Sequence, residues 1–228
     1  MGVFFMKKPL VVLIISILIV FGIALTWYLV SPLFINKTVN EEFPFDLPKE
    51  SEITQLSPIE AEEIVDSALE VIDAEFVENL SPEEASELES QVLAVATMMP
   101  DNEIEEEMPD KVSEIEWVSI LSGNFRGSDN FHQGNGIASI FQQGDQLVLR
   151  FEEFKVTNGP DLHVYLVQNI NGTNQSELGN YLDLGSLKGN MGNQNYEIPV
   201  DTDLSQYQGV MIYCEPFHVV FATAQFGS

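Results

Sequence analysis

The spacing of hydrophobic and polar positions changes twice along the 228-residue chain, and the changes divide it into three parts. The first part contains an uninterrupted apolar run over Leu10–Val30 that carries no charge. About 20 helical residues at ~1.5 Å each cross the ~30 Å hydrocarbon layer of a membrane, so the run predicts one transmembrane helix. Lys7 and Lys8 precede it, which favours a cytoplasmic N-terminus and places the rest of the chain outside the cell.

The alternative interpretation of this run is a cleaved signal peptide. The apolar region of a signal peptide normally spans about 7–15 residues before a small-residue cleavage site. The run in this chain is longer, and Ser31–Ile35 lacks an Ala-x-Ala pattern. We therefore expect residues 1–35 to be a cytoplasmic tail and an uncleaved anchor that contacts membrane lipid, as in a single-pass membrane protein.

Apolar positions in the second part recur every three or four residues, which is the spacing of amphipathic helices. Ser57-Pro-Ile-Glu60 and Ser81-Pro-Glu-Glu84 each supply a cap, a proline at the first helical position and a glutamate at the third. They predict a helical hairpin with helices over about 58–78 and 82–98. Its apolar stripes consist of Ala61, Val65, Ala68, Ile72, Phe76 and of Ala85, Leu88, Val92, Val95, Met99. The run Asp101–Asp110 predicts a flexible linker.

The role of this acidic connector and linker, residues 36–112, stays open between two alternatives. It can act as a solvated spacer, or its acidic surface can dock a basic partner. Calcium binding is not indicated, because the sequence contains no twelve-residue loop with alternating oxygen ligands and a central glycine.

From about Trp117 onward, short alternating runs are separated by Gly, Asn, Asp and Pro. The run Gln146–Phe151 puts Leu147, Leu149 and Phe151 on one face of a strand, with Gln146 and Arg150 opposite, and Asp161–Val167 is typical of a more buried strand. No segment of helical length separates these runs, so residues 113–228 predict an antiparallel β-sandwich domain. The expected fold class is mainly β, with one transmembrane helix and an acidic helical hairpin before the sandwich.

The uneven distribution of charge excludes one class of partner. The chain has 36 acidic and 9 basic residues, for a net charge of −27, and 25 of the acidic residues lie within 41–116. Such a surface repels phosphate backbones, so we expect no nucleic acid partner.

The single cysteine of the chain, Cys214, lies within the stretch VMIYCEPFHVVFA. One cysteine cannot form an internal disulfide, so an ordinary core or a partner must hold the domain together. The two apolar runs of this stretch predict a β-hairpin with a four-residue loop, Cys214–Phe217, in which Ile212 faces Val219. Cys214 then ends a strand at a corner that solvent or a partner can reach.

Four ordered blocks of sequence carry a resemblance to a known family: GNFRGSDNFHQGNGIASI (Gly123–Ile140), FEEFKVTNGPDLHVYL (Phe151–Leu166), YLDLGSLKGNMGNQNYEIP (Tyr181–Pro199) and VMIYCEPFHVVFATAQF (Val210–Phe226). Together they resemble the DM-thirteen domain, an electron-transfer-type domain of Skeletor-like proteins, over the C-terminal half of the chain. The resemblance implies an extracytoplasmic electron-transfer or redox module more than a turnover enzyme. It implies a redox-active cysteine at Cys214, as a bare thiol or as a ligand to a group such as haem. It also implies a redox partner such as a DOMON domain or a membrane cytochrome.

Three interpretations of Cys214 stay open at this point. The residue is a small buried hydrophobic side chain, a redox thiol, or a ligand to haem or copper. His132, His163 and His218 are weak candidates for a His₂Cys copper set, no cofactor is fixed by the sequence, and a Cys-x-x-Cys-His haem attachment is absent from it. The alternative function is a non-catalytic adhesion or envelope-binding module on an acidic stalk, in which the thiol has no role.

Overall fold

The structure is a computed structural model that describes residues 47–110 and 116–227. The apolar run that is predicted to cross a membrane lies outside these residues. No helix within them is long and apolar enough to span a membrane. The anchor and the orientation of the chain therefore stay predictions.

Four α-helices form the connector in the described part of the chain: α1 (Glu50–Ile53), α2 (Pro58–Leu69), α3 (Ala74–Glu78) and α4 (Pro82–Ala96). The Ser57 hydroxyl accepts a hydrogen bond from the Glu60 backbone N–H at 3.3 Å, and the Glu60 carboxylate accepts one from the Ser57 backbone N–H at 2.8 Å. Ser81 and Glu84 repeat this arrangement at the start of α4. The two predicted helix starts are confirmed, because each serine satisfies a backbone donor that the first turn leaves free.

The helix that the spacing predicts over 58–78 is divided into α2 and α3. The division occurs because the Asp73 carboxylate accepts a hydrogen bond from the Phe76 backbone N–H at 2.8 Å and so caps a new helix. Helices α2 and α4 pack against each other, and α1 adds to their buried core, which consists of Ile53, Ala61, Val65, Val95 and Ala96. The apolar stripes thus bury one face of each long helix, as their spacing predicts.

Lowering the pH is expected to reduce the contribution that the serine caps make to the stability of the helices. Hydrogen bonds from Ser57 and Ser81 hold the pKa of Glu60 and Glu84 below the usual 4.5. A carboxylate with a depressed folded-state pKa stabilises the fold above its unfolded pKa, and this contribution is lost as the pH falls through the folded value.

The helices of the wild-type chain should therefore melt at a higher temperature than those of a Ser57→Ala/Ser81→Ala variant at pH 7, and the difference should shrink below about pH 4. Circular dichroism melts of both proteins measure this difference. The comparison cancels the effect of all other acidic residues, which the two proteins share. A difference of the same size at pH 3 and pH 7 would contradict the expectation.

Nine β-strands in the described residues form one sheet: β1 (Glu103–Glu105), β2 (Val118–Gly127), β3 (Gly134–Gln143), β4 (Gln146–Val156), β5 (Leu162–Val167), β6 (Tyr181–Ser186), β7 (Met191–Ile198), β8 (Gly209–Cys214) and β9 (Val219–Gln225). The strand order is β1-β7-β4-β3-β2-β9-β8-β5-β6, and neighbours are antiparallel except β1 and β7. β2 pairs with β3 over its first part and with β9 over its last three residues, so the sheet curls at this strand. The prediction of a mainly β domain is confirmed, but one continuous curled sheet replaces the predicted sandwich of two sheets.

Two glycines lie where β2 changes partners. A Cβ at Gly123 would clash with the backbone carbonyl of Gln225, and a Cβ at Gly127 would clash with that of His132. Because neither position carries a side chain, the neighbouring backbone can approach closely enough for β2 to join both halves of the sheet.

Aromatic rings fill the centre of the domain. The Phe151 ring centroid lies 4.9 Å from that of Phe125, 4.8 Å from that of Phe154 and 5.2 Å from that of Tyr196. A second buried cluster lies beside β5 and β8 and consists of Tyr165, Val167, Ile170, Leu178, Met211, Tyr213 and Val220. This second cluster holds β8 in place and so fixes the position of its last residue, the cysteine.

The segment Asp101–Asp110, which the sequence predicts as a flexible linker, is instead part of the sheet. Within it β1 pairs in parallel with β7, and the Glu106 carbonyl accepts a hydrogen bond from Arg150 Nη1 at 2.9 Å. Lys188 Nζ lies 2.8 Å from Glu106 Oε1. Lys155 Nζ lies 3.7 Å from Asp101 Oδ2. The acidic segment is ordered because it meets the edge of β7 and three of the chain's nine basic residues. Arg150 lies on the face of β4 opposite Leu147, Leu149 and Phe151, and the acidic segment that covers this face buries it.

The β8–β9 hairpin has a different register from the predicted one. Cys214 pairs with Val219, and the loop is Glu215–His218, one residue later than predicted. Ile212 pairs with Ala222 and not with Val219. The later loop alone would pair Ile212 with Phe221, and an irregularity in the ladder next to Ile212 adds one more residue to β9. The prediction that Cys214 ends a strand is confirmed.

Candidate functional site

Cys214 lies at the end of β8, but solvent does not reach it. The thiol is unpaired and 1% exposed, and its Sγ donates a hydrogen bond to the Pro160 carbonyl oxygen at 3.1 Å. Cys214 reaches Pro160 because it pairs with Leu162, the first residue of β5. The strand end that was expected to be accessible is therefore closed in this structure.

A cavity of ≈ 10 Å³ lies beside the thiol. Its walls come from α4, the β2–β3 loop, the turn before β5 and the β8–β9 hairpin: Glu89, Leu93, His132, Pro160, Cys214, Phe217, Val219 and Phe221. A volume of this size holds about one water molecule. Since Glu89 and Leu93 belong to α4, the acidic connector forms one wall of the cysteine site.

His132 is the second polar group that faces this cavity from the β domain. It is 5% exposed, and its ring centroid lies 4.4 Å from that of Phe221. Its Nδ1 lies 2.6 Å from Asp129 Oδ2, while Asp129 Oδ1 accepts hydrogen bonds from the backbone N–H groups of Phe131 and His132. Its Nε2 has no hydrogen-bond partner among the described residues and lies 3.9 Å from Glu89 Oε1.

The Asp129 carboxylate determines which ring nitrogen of His132 carries the proton. Burial alone would raise the pKa of Asp129, but hydrogen bonds from His132 and Phe131 outweigh burial and lower it. An ionised carboxylate only accepts hydrogen bonds, so Nδ1 is the donor, and a neutral His132 keeps its lone pair on Nε2. The β2–β3 loop thus contributes an imidazole with a free lone pair to the lining of the cavity that contains the thiol.

The closed cavity keeps Cys214 as a neutral thiol. Burial raises the pKa of Cys214 to about 12; the backbone N–H of Phe217 opposes this effect, and the negative charges of Glu89 and Asp161 add to it. Burial also raises the pKa of Glu89, while His132 opposes that change. This environment disfavours the thiolate, which is the reactive form of cysteine.

His163 and His218 lie in other surroundings. His163 is held between two carboxylates, with Nδ1 3.0 Å from Asp183 Oδ2 and Nε2 3.4 Å from Asp161 Oδ1. Together with Asp183 and Glu215 it offers the one group of three ligand atoms within 4.8 Å of one another in the part of the chain that the structure describes. His218 is half-buried in the loop of the β8–β9 hairpin.

The candidate cofactors do not fit this arrangement. A His₂Cys copper set requires Cys214 and two histidines to converge, and no such set among the described residues lies within the same 4.8 Å span. The cavity of ≈ 10 Å³ beside the thiol is also far too small for a porphyrin. The residues present therefore do not form a copper or haem site in this conformation.

Two residues of the site were missed by reasoning from the sequence. Asp129 lies three residues before His132 in a turn, and this local spacing is a signal that a carboxylate can reach the ring. Glu89 has no comparable signal, because nothing in a periodic acidic helix marks which of its carboxylates faces another segment.

The fold and the site define the C-terminal part of the chain as a mainly β domain that buries one unpaired thiol beside a carboxylate-bound histidine. Residues 124–226 match the family model described as Electron transfer DM13. This match confirms the resemblance of the C-terminal part of the chain to DM-thirteen domains. The match includes His132 and Cys214 and leaves out α1–α4 and β1. Comparisons with curated proteins and with solved structures gave no match.

Proposed function

We propose that the chain is a membrane-anchored, extracytoplasmic electron-transfer module that uses Cys214 as its redox group. The observation that carries the proposal is the match to an electron-transfer domain family over residues that include this cysteine. The apolar run Leu10–Val30 supports the anchored part of the proposal. A redox protein such as a DOMON domain or a membrane cytochrome would supply or accept the electron.

The burial of Cys214 sets a condition on this function. A partner cannot contact a thiol that is 1% exposed while Glu89 and Leu93 close the cavity from α4. Direct contact with the sulfur therefore requires a wall of the cavity to move away, and we propose that this wall is α4. The connector then acts as a cover of the redox site, which is a more specific role than that of a solvated spacer.

The alternative function is a non-catalytic adhesion or envelope-binding module. One observation favours it: a buried thiol whose pKa is raised to about 12 has the properties of a structural cysteine that packs as a small apolar side chain. In that case the thiol contributes to stability only.

Replacing Cys214 by serine is expected to abolish electron exchange and to leave the fold intact, since the two side chains are close in size. Full-length protein in detergent is mixed with a basic ferric c-type cytochrome, whose charge complements the acidic chain and whose haem absorbance follows electron transfer. His163→Gln serves as a control that lies outside the thiol cavity and should keep the wild-type rate.

Equal rates in the wild type and the Cys214→Ser variant would exclude the redox role of the cysteine. The alternative function predicts a different pattern. Cys214→Ser would then cost roughly 1–3 kcal/mol in the free energy of unfolding, from a hydroxyl in an apolar site, with no change in binding.

Protease added to intact cells is expected to degrade residues 40–228, because Lys7 and Lys8 before the apolar run favour a cytoplasmic N-terminus. Protection that lasts until the membrane is opened would show the opposite orientation. A mature N-terminus near residue 35, measured by mass spectrometry, would show a cleaved signal peptide instead of an anchor.

A further inference from the structure

The proposed electron-transfer role of Cys214 does not explain why one ring nitrogen of His132 is buried without a hydrogen-bond partner. Its Nε2 belongs to a side chain that is 5% exposed, and it has no hydrogen-bond partner among the described residues. Buried polar atoms without partners are rare in folded proteins, and each such atom calls for an explanation. The surroundings of Nε2 supply one.

Two contacts fix the direction of this nitrogen. The 2.6 Å contact between Nδ1 and Asp129 orients the ring and leaves Nε2 as an acceptor. The ring also packs edge-on against Phe221 at 4.4 Å, which restricts its rotation. His132 and Cys214 both line the same cavity of ≈ 10 Å³, so the imidazole and the thiol belong to one closed site.

We propose that His132 is the proton acceptor of the Cys214 thiol. When water enters the cavity, the S–H bond of Cys214 breaks, the proton reaches Nε2 of His132 through water, and the sulfur keeps the electron pair as a thiolate. The imidazolium that forms stays bound to Asp129 through Nδ1–H, and the Glu89 carboxylate 3.9 Å from Nε2 stabilises it. The purpose of this transfer rests on the proposed function, since a thiolate gives up an electron more readily than a thiol.

The position of α4 determines when the proton moves. The charged groups that face the pair are Asp129 on the β2–β3 loop, Glu89 on α4 and Asp161 before β5. Burial and the charges of Glu89 and Asp161 oppose the thiolate while the cavity is closed. When α4 moves away, water reaches the sulfur and the burial penalty falls, so the thiolate–imidazolium pair forms.

The rate at which iodoacetamide alkylates Cys214 in the folded full-length protein tests this proposal without any electron acceptor. The chain has one cysteine, so every alkylation event reports on Cys214. Rates are measured from pH 5.5 to 9, at reagent concentrations where the rate is proportional to the reagent. His132→Gln should slow alkylation at pH 7 by about tenfold or more, as loss of a general base does, and should move the pH profile to higher pH.

Two further variants separate this role from a structural one. A purely structural His132 predicts faster alkylation of His132→Gln at every pH, because a loosened cavity exposes the thiol. Asp129→Asn keeps an oxygen that accepts the two backbone hydrogen bonds, but its amide donates to Nδ1 and moves the ring proton to Nε2, so alkylation should again be slower. His163→Gln changes a histidine that binds a carboxylate but lies outside the cavity, and its rate should stay within about twofold of the wild type.

All variants must show native circular dichroism spectra, and their alkylation rates must be equal in guanidinium chloride, where the fold no longer affects the thiol. If His132→Gln does not fold, the alkylation rate of Asp129→Asn decides the test. Unchanged or faster alkylation in the folded variants would overturn the proposal. If alkylation depends on His132 while Cys214→Ser still exchanges electrons, the proton acceptor stands and the redox role of the cysteine fails. If Cys214→Ser loses electron exchange while alkylation is independent of His132, the redox role stands and the proton acceptor fails.

Discussion

Truncation of Phe151 to alanine should lower the free energy of unfolding by about 3–5 kcal/mol, the range for the loss of a buried aromatic side chain. Phe151 is 0% exposed, and its ring contacts those of Phe125, Phe154 and Tyr196. These rings belong to β2, β4 and β7, which backbone ladders hold in place, so the sheet cannot collapse into the vacated space. Because domains are stable by only about 5–15 kcal/mol, this change removes a large part of the total.

Guanidinium chloride unfolding followed by circular dichroism measures the loss. Phe131→Ala is the matched control, because it removes the same atoms from a side chain that is 75% exposed. Its effect should stay within about 0.5 kcal/mol. Equal losses in the two variants would show that the aromatic cluster is not the centre of the core.

Replacing Leu93 by aspartate should speed the alkylation of Cys214 in the folded protein by roughly 10- to 100-fold. Leu93 is 9% exposed and lines the thiol cavity from α4. Loss of the buried leucine side chain destabilises the closed position of α4 by about 1.5–3 kcal/mol. Each 1.4 kcal/mol shifts the equilibrium between the closed and the open position of α4 tenfold. The added charge would also lie near Glu89, which further disfavours the closed position of α4.

Ile59→Asp on α2 is the control for this change. It introduces the same charge into the connector at a side chain that is 68% exposed, so alkylation should keep the wild-type rate. Circular dichroism must show that α4 stays helical in the Leu93→Asp variant. An unchanged alkylation rate in that variant would contradict the role of α4 as a cover.

Features that depend on neighbouring residues could be predicted from the sequence. Ser57 and Ser81 start helices because their partners Glu60 and Glu84 lie three residues away. The cysteine was placed at a strand end because a turn must follow its apolar run. Each of these predictions needs only a few consecutive residues.

Features that depend on distant segments were missed. The edge of β7 and the side chains of Arg150 and Lys188 order the segment 101–110, and nothing within that segment indicates them. The irregularity beside Ile212 that shifts the β8–β9 register leaves no mark in the alternation of the two strands. Glu89 reaches the thiol cavity only because α4 lies against the β domain. The redox role of Cys214 stays a prediction, since burial and the family match favour different interpretations of the same thiol.

An open sheet has two edges, and each offers unpaired backbone groups to any strand that approaches it. In this chain β7 would form one edge, but β1 pairs with Met191–Asn193 and places Glu103 and Glu105 beside it. Carboxylates at a sheet edge repel the same edge of another copy, and a short strand offers it little to pair with. The acidic segment that precedes the domain thereby protects this edge of the sheet against edge-to-edge pairing.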